Sequence, residues 1–164
     1  MNKLILVFGA VFVTLLLLGC TQKVAFEKTS AYTNTENGAK VTTEYYESEG
    51  CGFGLRIAEY DTDQDVTEVL NYLKQYLMTS GVGGLMTSDV GGYQLLEGTL
   101  QHAPYADTSQ YYWVSGRNVI TATQPDWHPP SEFTTPSGCT DEKSDKLFNE
   151  FTLETLKKYP CTQS

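Results

Sequence analysis

Positive charge is what this sequence has least of. Its 11 Lys and Arg stand against 20 Asp and Glu, a formal net charge of −9, and only two of the cations are arginines, Arg56 and Arg117. A chain this acidic repels phosphate backbones, which argues against nucleic acid as a partner, and gains nothing from the potential of anionic lipid. Histidine is also scarce. His102 and His128 are the two present and form no H-x-x-x-H or H-E-x-x-H pattern, so no zinc site is legible. G-x-S-x-G and S-x-x-K are missing. The glycine-rich stretch 81–92 lacks the Lys-Ser/Thr of a phosphate loop. These gaps nominate no catalytic residue and no cofactor. A Cys139–His128 nucleophile pair is imaginable, but a disulfide would consume the thiol.

Hydrophobic residues make up 40% of the chain and aromatics 12%, a composition able to build a core. After Lys3, Leu4 to Leu18 is unbroken by charge. As a helix it spans roughly 22 Å, short of the roughly 30 Å hydrocarbon layer, so it reads as the apolar segment of an export signal. Leu17-Leu18-Gly19-Cys20 resembles the lipobox of prokaryotic lipoproteins. The resemblance implies cleavage before Cys20 and acylation of its thiol, the small Gly19 beside the scissile bond. Two or three acyl chains make a stable anchor. Residue 21 is Thr instead of Asp, which in a diderm host points to the outer membrane; otherwise the cell membrane is expected. The expected organisation is a signal peptide over 1–19, an acylated Cys20 with a flexible polar tether to 39, and one extracytoplasmic domain over 40–164.

Within that domain, 40–47 and 53–60 read as a hairpin around the cluster Ser48-Glu49-Gly50-Cys51-Gly52. Val66, Val69, Leu70, Leu73 and Leu77 then share one helical face over 62–80. Residues 93–100 read as a strand, and 111–115 with 118–123 as a second hairpin around Gly116-Arg117. Leu147, Phe148, Phe151, Thr155 and Tyr159 lie at helical spacing over 141–159, with acids leading and Pro160 closing. The order β-β-α-β-β-β-α predicts an α+β domain: an antiparallel-rich sheet with two helices packed on one face.

Export favours a disulfide among Cys51, Cys139 and Cys161. Cys139 and Cys161 fall at opposite ends of a helix about 28 Å long, beyond bonding reach. Chain polarity brings Cys161 to the Cys51 turn, so Cys51–Cys161 is the expected pair. The stretch 124–138 leaves Cys139 as the alternative.

Asp61, Asp63 and Asp65 hold the first, third and fifth places of a calcium loop. Val66 and Tyr72 then occupy the places that need Gly and a bidentate Glu, so these acids read first as the start of a helix and only weakly as metal ligands. The second hairpin is apolar on both faces. With both helices on one side, Tyr112, Val114, Val119 and Thr121 face the other, either exposed as a candidate contact surface for an envelope protein partner or covered by the chain's own proline-rich segment 125–138. Loop 81–92 is a candidate flap over a ligand.

The strand-turn-strand from Tyr111 to Ile120, with the helix end Leu156-Lys157-Lys158-Tyr159-Pro160, loosely resembles small exported archaeal proteins of unknown function and brings no activity with it. The expected function is a membrane-anchored lipoprotein with a non-catalytic binding or scaffolding domain. The alternatives are a ligand or metal-ion carrier in the envelope and, last, a hydrolase.

Overall fold

The computed structural model describes residues 24–79, 86–100, 108–124 and 139–162. Strand β1, Glu27–Glu36, turns through Asn37-Gly38 into β2, Ala39–Ser48, and Glu49-Gly50 leads into β3, Cys51–Glu59. Both turns place their two residues at positive φ, the geometry that matches the right-handed twist of the strands they join. Helix α1 follows over Asp63–Thr79. It starts with a reciprocal cap: the Asp65 carboxylate accepts from the Thr62 backbone N–H and hydroxyl, while the Thr62 hydroxyl accepts from the Asp65 N–H. Strands β4, Met86–Val90, β5, Tyr93–Leu100, β6, Thr108–Ser115, and β7, Asn118–Thr123, precede helix α2, Asp141–Lys158.

All seven strands form one sheet in the order β1-β2-β3-β7-β6-β5-β4, each neighbouring pair antiparallel. The α+β class and the antiparallel sheet are as the sequence predicts. Two strands are additional. β1 lies within the segment expected to be a flexible tether, and β4 within the expected loop 81–92.

The helices are on opposite faces, not one. Cys51, Phe53, Leu55 and Ile57 of β3 point to α2 and pack with Leu147, Phe148, Phe151 and Leu156. Ala58 of β3, with Val41 and Val119, points the other way and packs against Val66, Val69, Leu70 and Leu73 of α1. On the α1 side β3 contributes a buried apolar side chain only at Ala58, while Arg56 on that side pairs with Glu36 at 2.8 Å.

The disulfide joins Cys51 to Cys139, Cα atoms 5.1 Å apart, and Cys161 is free and half-buried. The expected Cys51–Cys161 pair is therefore corrected, and β4 is the reason. An extra strand between α1 and β5 reverses the direction of every later element. Helix α2 consequently begins beside the β2–β3 turn and ends at the opposite edge of the sheet. There the Trp113 indole donates to the Tyr159 carbonyl at 2.8 Å, and Thr162 N–H to the Val114 carbonyl at 2.8 Å. Lys143, in the first turn of α2, reaches Glu49 in the β2–β3 turn, so ion pair and disulfide fasten the same corner.

Candidate functional site: a groove beside the N-terminal segment

Residues 24–26 run across the α2 face of the sheet. The Phe26 ring meets Phe53 and Phe151 edge-on, with centroids 5.6 and 5.3 Å away. Phe53 and Phe151 in turn stack on each other at 5.3 Å. Above Phe53, the side chains of Phe26, Phe151, Tyr46 and Leu55 line a groove of about 380 Å³ between Val24–Phe26 and the second half of α2, with Glu154 and Lys158 at its rim. The size and apolar lining suit a small ligand or a short apolar chain.

Glu44 of β2 lies close by, on the same face of the sheet. Its carboxylate is nearly fully buried and takes a hydrogen bond from Lys28 Nζ at 2.6 Å and from the Tyr46 hydroxyl at 2.5 Å. Burial pushes this carboxyl up. The Lys28 and Tyr46 hydrogen bonds and the charges of Lys28 and Lys158 outweigh burial and hold it below the ordinary carboxylate range. Tyr46 is driven the other way, first by burial and then by the carboxylate it donates to. A carboxylate so held and a phenol so hard to ionise are poor proton-transfer groups near neutral pH. The cluster ties β1 to β2 and leaves the groove an apolar binding surface with a charged rim.

The sequence-nominated residues fall elsewhere. Val119 and Val114 pack under α1. Tyr112 and Thr121, opposite each other on the same face, are also buried. The expected open contact surface is therefore covered, because one helix lies on each face. Asp65 is committed to the cap of α1, and the Asp61 carbonyl accepts from Arg117 at 2.7 Å. Among the described residues no three His, Cys, Asp or Glu side chains gather as a metal site. Cys20, His102, His128 and residues 81–85 lie outside the described residues. No helix of the described residues is long and apolar enough to cross a membrane.

Sequence reasoning missed Phe26 and Glu44. Phe26 is a lone aromatic in a polar stretch, and Glu44 alternates with Lys40, Thr42 and Tyr46 as a solvated strand face would. No family model matches the chain, and no curated protein or solved structure shows significant similarity to it.

Proposed function

We propose that the chain is an envelope lipoprotein, acylated at Cys20, whose acidic domain is held directly against the membrane as a non-catalytic binding or scaffolding module. The observation that carries this reading is the packing of the half-buried Phe26 against the core rings of Phe53 and Phe151, only six residues beyond Cys20. Three residues lie between Cys20 and Val24, so the four chain steps that join them span at most about 14 Å when extended. An anchor at Cys20 therefore leaves the domain at the headgroup level, where a long tether would have let it range freely. The mouth of the groove, which Val24 lines, then lies next to the lipid.

The test is fractionation of the host after Cys20→Ala. The reading predicts that the chain moves from the membrane fraction to the soluble extracytoplasmic fraction. Unchanged membrane association would sink the acyl anchor.

A second reading, a carrier for a small apolar ligand, rests on the groove itself. It predicts an organic-extractable compound at near one per chain in protein purified from its host, lost on filling the groove with Thr155→Trp.

A further inference from the structure

The sheet protects one edge and leaves the other open. At one end, β4 is five residues long. At the other, β1 runs for ten residues, nine of them exposed and the last half-buried. Its side chains belong to neither core cluster, so among the described residues no helix fixes them from above or below. Exposed edges are ordinarily blunted by shortness, proline, charge or bulges. In β1 the charges are Glu27, Lys28 and Glu36, all at the ends, and the irregularity falls between Lys28 and Ser30. Thr29-Ser30-Ala31-Tyr32-Thr33-Asn34-Thr35 has no charge and no proline.

We propose that this edge pairs with β1 of a second copy, antiparallel and centred on Tyr32, joining two sheets into one. In such a pair, residues directly opposite must share a face, so the register is one of those centred on a residue. Centring on Tyr32 overlaps the whole uncharged stretch and sets the Lys28 end of each strand beside the Glu36 end of the other. Ala31 faces Thr33 of the second copy, and Tyr32 faces Tyr32. Each Tyr32 ring already leans on Tyr45, centroids 6.3 Å apart, so the two chains would form a row of four tyrosines on the α1 side, an arrangement that favours strand pairing.

The symmetry also suits the anchor, a point that rests on the proposed acylation as the strand pairing itself does not. The two-fold axis is perpendicular to the sheet, so both copies present the same face in the same direction. Residues 24–26 lie on the α2 face in each copy, and both Cys20 anchors can enter one bilayer. Parallel pairing of the same edges would turn the two α2 faces apart. Pairing β1 with β4 would be head-to-tail, which gives a ring of several copies or an open array and not a closed pair.

The test is native mass spectrometry of the full chain, drawn from its host membrane in mild detergent without reductant. The wild type should appear as a dimer. Ala31→Lys/Thr33→Lys sets like charges opposite each other twice and should weaken dimerisation at least tenfold. Ala31→Lys/Thr33→Glu sets opposite charges there and should restore it; both variants lose the same Thr33–Thr42 hydroxyl contact, so any cost to the fold is shared. A monomeric wild type, open-ended oligomers, or two variants that behave alike would overturn the pairing. An acylated monomer rejects the pairing and keeps the anchor, and an unacylated dimer does the reverse.

Discussion

Phe26 and Phe151 meet edge-on with ring centroids 5.3 Å apart, so the residue that opens the folded domain is packed against its last helix. Aromatic pairs of this kind add to the burial of their surfaces. Phe26→Ala should cost about 2 kcal/mol, within the range for a partly buried aromatic. Urea unfolding would measure it, and the same variant should loosen residues 24–26 in hydrogen exchange.

Cys51 and Cys139 close a loop of 88 residues. The chain-entropy model assigns such a loop about 4–5 kcal/mol. Cys139→Ser should lower stability by much of that amount, while Cys161→Ser should leave it within about 0.5 kcal/mol. Peptide mapping without reductant should recover the 51–139 cross-link. Burial raises the Cys161 thiol, so native Cys161 should react slowly with alkylating reagents near neutral pH.

Glu44 titrates below its ordinary 4.5 in the folded chain. As pH falls, the unfolded chain takes up the proton first. The stability this carboxylate contributes is complete above 4.5 and is lost on the way down to its lower native value. Stability of the wild type should therefore fall more steeply than that of Glu44→Gln as pH drops below 4.5. Denaturant titrations across that window would show the two curves converging toward acid; parallel curves would remove Glu44 from the account.

Gly91 and Gly92 both have positive φ, but only Gly91 is crowded: a Cβ there would meet Leu153 Cδ2 at 2.5 Å, and one at Gly92 would meet nothing. Both alanine variants carry the backbone cost of about 1 kcal/mol. Gly91→Ala should carry somewhat more, because the Leu153 side chain must also move aside. Equal losses in thermal unfolding would mean that Leu153 turns aside freely.

The strands that bury a face were legible in the sequence. Leu55 and Ile57 alternating with Arg56, and the apolar runs 111–115 and 118–123, mark β3, β6 and β7, and the helical spacings mark α1 and α2. The two edge strands were not legible. β1 and β4 are held chiefly by backbone pairing and bury little, so hydrophobic periodicity carries almost no trace of them. Their turns did carry one. Asn37-Gly38 and Gly91-Gly92 are two-residue hairpin signals, but polar flanking residues give them the composition of a linker. Missing β4 had the larger consequence. One uncounted strand reversed the polarity of everything after it and sent the disulfide to the wrong cysteine. The contact face at Tyr112, Val114, Val119 and Thr121 failed for a different reason: an apolar strand face does not say which helix will cover it.

In the proposed lipoprotein, an acylated Cys20 holds this domain against a membrane. The most direct test is the mass of the N-terminal peptide of the chain isolated from its own host. The expected result is a peptide that begins at Cys20 and carries a diacylglyceryl group on the thiol. A peptide that begins at Met1, or one that begins elsewhere with Cys20 unmodified, would contradict it.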